Sequence, residues 1–119
     1  MKKSRIEVQI DLNENKVPKK MMWSAEDGGI QNQEAKAMLL ALWDEKENNT
    51  MKIDLWTDQM KVDEMKIFFH QTLLTMADTF EKATGEHNIC EDLRDYCHHF
   101  ADKMNILPPD QDETGGVLQ

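Results

Sequence analysis

The sequence predicts an α+β fold: three antiparallel strands with helices packed on one face of their sheet. In "RIEVQIDL" every second residue is apolar, which is typical of a strand with one buried face. Two stretches nearer the C-terminus repeat their apolar residues at helical spacing. Turn-forming residues separate these segments, and the predicted order is β-β-α-β-α-α.

The first two strands are predicted to form a hairpin. Strand one spans Ser4 to Leu12, "NENK" supplies the turn, and strand two spans Val17 to Ser24. Pro18 has no N–H to donate to a neighbouring strand, so strand two is expected at a sheet edge. Strand three then pairs with the other side of strand one, which predicts the order 2-1-3.

Helix one is predicted from Asn32 to Glu47, and strand three from Met51 to Thr57. The helix prediction rests on five apolar residues at helical spacing, Ala35, Met38, Leu39, Leu42 and Trp43. In strand three, Met51, Ile53 and Leu55 alternate with Lys52, Asp54 and Trp56. We expect the first three to be buried.

Two further helices are predicted, from Val62 to Thr84 and from Ile89 to Asn105. Acidic residues in the first turn of the longer helix interact favourably with the positive end of the helix dipole. Gly85 is placed to end this helix. Residues 1–107 are expected to form a single α+β domain. Residues 108–119 are polar and are expected to form a flexible acidic tail.

Charge argues against nucleic acid as a partner. Residues 1–22 carry six basic and three acidic residues, a balance of +3, and the remainder carries eight basic and twenty acidic residues, a balance of −12. The total of −9 repels nucleic acid and anionic lipid. No signal-peptide pattern opens the chain, and no run approaches the roughly 20 apolar residues of a membrane helix. A cytoplasmic protein without direct membrane insertion is expected.

Cysteine and histidine residues gather in the last helix without a ligand pattern. Cys90 and Cys97 lie about 10 Å apart on a helix, too far for a disulfide, so both thiols are expected to be reduced. His98 and His99 point away from Cys97 at helical spacing. We therefore expect no metal and no cofactor.

An acidic cluster surrounds the paired histidines. Asp95 and Asp102 lie within one helical turn of His98 and His99, and a His–Asp pair can act as a general base. On an exposed helix such a group is more often a solvated charge cluster. No catalytic residue is assigned.

The alternation of strand three places Trp56, a large apolar side chain, on the polar face of the strand, which is unexpected. It shares the polar face of strand three with Lys52 and Asp54, and Met22 lies on the polar face of strand two. Either another part of the chain or of its oligomer covers the indole, or Trp56 is an anchor for a partner. The candidate partner-binding residues are Trp56, Met22, Lys52 and Asp54.

Five segments follow one another along the chain: "WSAEDGG", "EAKAMLLALWDEKE", "IDLWT", "VDEMKIFFHQTLLTMADTFEKATG" and "LRDYCHHFADKM". Taken together, they resemble the gliding motility-associated GldC family of Bacteroidetes, and the resemblance runs from about Lys3 to Leu107. It implies a small accessory protein of bacterial gliding, and it carries no catalytic residue over to this chain.

Two functions follow as hypotheses. The first is a non-enzymatic accessory protein that binds a protein of the gliding or associated secretion machinery, with homo-oligomer formation left open. The alternative is a small ligand-binding domain or enzyme that uses a pocket between sheet and helices, or the acidic face around His98 and His99.

Overall fold

A computed structural model describes residues 1–106, which form five strands followed by two helices. The chain divides into two compact units, Met1–Lys61 and a helical unit that begins at Val62. The elements are β1 (Ile6–Leu12), β2 (Pro18–Ala25), β3 (Ile30–Ala35), β4 (Ala37–Asp44), β5 (Asn49–Trp56), α1 (Val62–Thr84) and α2 (His87–Lys103). The α+β class is confirmed, whereas the number and order of strands are not.

The first three strands form an antiparallel sheet in the order β1-β2-β3. The predicted order 2-1-3 is wrong, because β2 lies in the middle. Pro18 does not prevent this, since it is the first residue of β2 and the register shifts between Asp11 and Leu12 beside it. Met21, at the centre of the sheet, is buried and lies between Ile10 and Ala35.

Helix one of the prediction does not exist, because its residues form β3 and β4. The run from Ala37 to Trp43 is apolar throughout, so β4 shows no alternation that would distinguish a strand from a helix. Residues 45–48 connect β4 to β5, and Asn48 adopts a positive φ of 56° in this loop. β4 and β5 form a separate two-stranded antiparallel sheet.

Backbone hydrogen bonds connect the two sheets at the end of β5. The Thr57 N–H donates to the Lys36 carbonyl, between β3 and β4, at 2.8 Å. The next N–H, from Asp58, donates to the carbonyl of Pro18 at 3.3 Å. The end of β5 is thereby held against the start of β2, and Thr57 is buried.

The helical unit is a hairpin of α1 and α2. The range of α1 agrees with the predicted helix, and α2 begins two residues earlier than predicted and ends two residues earlier. Gly85 ends α1 with a φ of 74°, and its N–H donates to the Glu81 carbonyl. Three small side chains on the two helices are buried: Ala77, Cys90 and Cys97.

Two expectations about organisation stay predictions. One is a single domain over residues 1–107, and the other is the packing of helices on one sheet face. The predicted tail, residues 108–119, lies outside the described residues.

Candidate functional site

The β4–β5 hairpin has two faces of different composition. We call one the apolar face, because its six central positions are all apolar: Met38, Leu40, Leu42, Met51, Ile53 and Leu55. The other we call the tryptophan face, and it consists of Ala37, Leu39, Ala41, Trp43, Thr50, Lys52, Asp54 and Trp56.

Two indoles occupy opposite ends of the tryptophan face. Trp43 is opposite Thr50 and is 66% exposed, and Trp56 is opposite Ala37 and is 55% exposed. Between them, the Lys52 ammonium lies 3.1 Å from the Asp54 carboxylate. The face thus presents aromatic surface around an ion pair whose charges compensate each other.

A groove adjoins Trp56 and extends the tryptophan face toward the start of β2. It has a volume of about 370 Å³ and is lined by Val17, Pro18, Asp54, Leu55, Trp56, Thr57, Asp58 and Met60. Five of these residues are apolar, so the groove suits an apolar side chain more than a charged ligand.

The floor of the groove is positioned by the turn that follows β5. The Met60 N–H donates to the Thr57 carbonyl at 3.1 Å, which closes the turn. The Asp58 carboxylate forms an ion pair with the Lys19 ammonium. This hydrogen bond from Lys19 lowers the pKa of Asp58 below its ordinary value. Both acidic residues of the groove, Asp54 and Asp58, are therefore paired with lysines.

A family model of GldC-like, gliding motility-associated proteins matches residues 18–106. The chain belongs to the GldC-like family. The matched range includes the whole tryptophan face and both helices, and the resemblance of the sequence segments to this family is confirmed. No curated protein and no solved structure shows significant similarity to the chain.

The structure of this GldC-like protein gathers three of the four candidate residues on one face. Trp56, Lys52 and Asp54 lie together on β5. Met22 lies in the other sheet, half-buried between Gln9 and Glu34. Met22 was expected on the same side of a single sheet, and the division into two sheets separates it from the other three.

Sequence reasoning missed Trp43 and Leu39 as members of this surface. Both were assigned to the apolar stripe of a helix that the structure lacks. The available signal was the polar loop "EKEN" between two eight-residue segments rich in apolar residues, which is a hairpin pattern.

The apolar face is less buried than predicted. Met51 is 54% exposed and Ile53 is 49% exposed, whereas Leu55 is half-buried. The expectation that these three side chains are buried is wrong for Met51 and Ile53. In a two-stranded sheet each side chain has few neighbours, which accounts for their exposure.

The paired histidines lie at the surface of α2. His98 and His99 are exposed on α2, and the His99 ring contacts the ring of Tyr96 at 5.7 Å between centroids. Within residues 1–106, no three His, Cys, Asp or Glu side chains are gathered so that they could hold a metal ion.

Both cysteines of this GldC-like protein are free and buried. Burial raises the pKa of the Cys90 thiol and that of the Cys97 thiol, which favours the protonated, unreactive form. Among the described residues, neither helix has the length and apolarity needed to cross a bilayer.

Proposed function

We propose that this GldC-like protein is a non-enzymatic, cytoplasmic accessory protein of gliding motility that binds a protein partner through its tryptophan face. The observation that carries the proposal is the exposure of two indoles, Trp43 and Trp56, on one face of one hairpin. Exposed tryptophans are costly in water, and tryptophan is enriched among residues that dominate binding energy.

The chemistry of the surface supports an apolar or aromatic partner segment. The groove beside Trp56 accepts an apolar side chain, and Leu39 adds apolar area between the indoles. Because Lys52 and Asp54 compensate each other, the centre of the face carries no net charge. The acidic balance of residues 23–119 favours a partner with basic residues around its contact surface.

The paired charges of the groove support the non-enzymatic part of the proposal. A general acid or base needs a pKa near the working pH. Asp58 instead has a pKa below its ordinary value, because Lys19 donates a hydrogen bond to its carboxylate. No histidine or cysteine is among the residues that line the groove.

Complementation tests the role of the tryptophan face. In a gliding bacterium that carries the gene, deletion should reduce colony spreading and the speed of single cells. The native gene should restore both, and a gene with Trp43→Ala and Trp56→Ala should not. Immunoblotting must show equal protein levels, and fractionation of the same cells should place the native protein with cytoplasmic markers.

The matched control is Leu42→Ala, which removes an exposed apolar side chain from the opposite face of the same hairpin. It should restore gliding as the native gene does. Normal gliding of the deletion strain would refute the motility role. Full restoration by the double tryptophan variant would refute the tryptophan face as the binding surface.

A further inference from the structure

β1 is an edge strand of the three-stranded sheet. It pairs with β2 on one side only, and in the described part of the chain no strand lies along its other side. Six of its seven residues are exposed. Because an edge strand carries unpaired N–H and C=O groups, it is a template for one more strand.

One hydrogen bond determines which backbone groups of β1 point outward. The Glu26 N–H donates to the carbonyl of Arg5, the residue opposite it, at 3.2 Å. In an antiparallel pair, hydrogen-bonded positions alternate with positions whose backbone groups face the other way. The N–H and C=O groups of Ile6, Val8 and Ile10 therefore face the open side.

This edge lacks three of the features that prevent pairing in natural edge strands. From Ile6 to Ile10 there is no proline, no lysine and no register shift; the shift lies between Asp11 and Leu12. Glu7 is the one charged side chain of this segment.

We propose that β1 pairs antiparallel with β1 of a second copy of the chain, around a two-fold axis at Val8. Val8 then lies opposite Val8 of the second copy, and Ile6 lies opposite Ile10. By symmetry, Ile10 also lies opposite Ile6 of the second copy. Each of these three pairs is a hydrogen-bonded pair with two bonds, so every outward N–H and C=O of these residues is satisfied. The inference does not depend on the proposed role in motility.

Charge complementarity supports this register. It places Arg5 opposite Asp11 of the second copy, twice by symmetry. Within one chain, Asp11 already lies opposite Lys20 and Arg5 opposite Glu26. Across the joined sheets the side chains then form a row of alternating sign, Lys20, Asp11, Arg5 and Glu26, in which the last two belong to the second copy. Opposite charges in directly opposed positions stabilise a strand pair.

Among the residues from Arg5 to Asp11, which pair with β2, neighbouring registers lack this complementarity. Moving the axis to Glu7 places two Glu7 carboxylates opposite each other. Moving it to Gln9 places Glu7 opposite Asp11, again twice. Like charges in directly opposed positions are destabilising, so the axis at Val8 is favoured.

Charge exchange tests the proposal on the full chain. Sedimentation equilibrium over a concentration series should show a monomer–dimer equilibrium for the native protein. Arg5→Asp and Asp11→Arg should each raise the dimer dissociation constant about tenfold, because each replaces two attractive pairs by two repulsive ones. The double variant R5D/D11R should restore the native value, since the changed pairs within each chain affect monomer and dimer alike.

Glu7→Arg is the matched control, because Glu7 lies on the same face of β1 but opposite Gln9 of the second copy. It should leave the dissociation constant unchanged. A native protein that stays monomeric at every concentration would overturn the proposal and would leave β1 to some other occupant. A dimer that tolerates both single reversals would overturn it as well.

Val8→Pro tests the hydrogen bonds. It removes an N–H that points outward, and the bonds from β1 to β2 remain. We expect a folded monomer, with circular dichroism as the check of folding. A folded V8P dimer of native affinity would contradict the proposal, and if V8P does not fold, the charge exchange alone decides.

Discussion

The helical hairpin contains fully buried side chains, whereas the β4–β5 hairpin contains none. In the helical hairpin, Ala77 and both cysteines are buried, and the Phe100 ring lies parallel to the His70 ring with 6.2 Å between centroids. In the β4–β5 hairpin no residue is buried, and two tryptophans are largely exposed.

Ion pairs join the two elements of the helical hairpin, whereas the Lys52–Asp54 pair of the β4–β5 hairpin lies within one strand. In the helical hairpin, Arg94 of α2 donates to Asp78 and Glu81 of α1 and to Glu91 of its own helix, at 2.6 to 2.9 Å. Each of these four charged side chains therefore has an ion partner, either on the other helix or one turn away on the same helix. The helical hairpin therefore has a small core and an ion network of its own, whereas the β4–β5 hairpin has no buried residue.

Within the two compared hairpins, the largest expected effect is overpacking of the helical hairpin. Ala77→Leu should lower the free energy of unfolding by about 1 to 3 kcal/mol, because a fully buried methyl group has no room for three more carbons. Urea denaturation measures it. Ala83→Leu, at an exposed position of the same helix, is the control and should change stability little. Equal effects of the two variants would show that the helix contact is loose.

A smaller loss is expected from the ion network. Arg94→Met keeps much of the side-chain volume but leaves three carboxylates without their common partner, so the melting temperature should fall by less than for Ala77→Leu. Lys82→Met is the control, since Lys82 is an exposed cation of α1 outside this network. If both variants melt alike, the network contributes nothing beyond loss of one surface charge.

The pH dependence of the helical hairpin should carry the signature of His87. Its imidazole lies 2.7 Å from the Glu81 carboxylate, and this hydrogen bond raises the pKa of His87 above 6.5. The stabilisation of the folded state by protonated His87 is complete below the pKa that this histidine has in the unfolded chain. It is lost as pH rises through the raised pKa of His87 in the folded protein. The same hydrogen bond lowers the pKa of Glu81, whose contribution is lost only as pH falls through that lowered value.

Denaturation at about pH 6 and about pH 8, on either side of the ordinary histidine pKa, measures this effect. Between these two values the native protein should lose more stability than His87→Gln. His98→Gln, which removes another exposed histidine of α2, should behave as the native protein does. Identical pH profiles for His87→Gln and the native protein would contradict the assignment.

The smallest expected effect concerns the apolar face of the β4–β5 hairpin. Leu42→Ala should change the free energy of unfolding by no more than about 0.5 kcal/mol, as is typical of exposed positions. Met21→Ala, in the core of the other sheet, should cost about 2 to 5 kcal/mol and calibrates the measurement. A cost for Leu42→Ala near that of Met21→Ala would show that the apolar face is covered in solution, and the contrast between the two hairpins would fail.

Local sequence patterns determined much of this protein. The alternation in β1, the helical stripes of α1 and α2, and the helix end at Gly85 depend on residues that are near each other in sequence. The same patterns placed Trp56 beside Lys52 and Asp54 on an exposed face, because side chains alternate along any strand. The α+β class and the family followed from these segments.

The tertiary structure alone decided the strand order and the extent of the candidate site. β4 is apolar on both faces, so its sequence satisfies helical and strand spacing equally, and only its pairing with β5 makes it a strand. That pairing brought Trp43 onto the face of Trp56 and left Met22 in another sheet. Pairing joins residues that are distant in sequence, and a local pattern carries no information on which segments will meet.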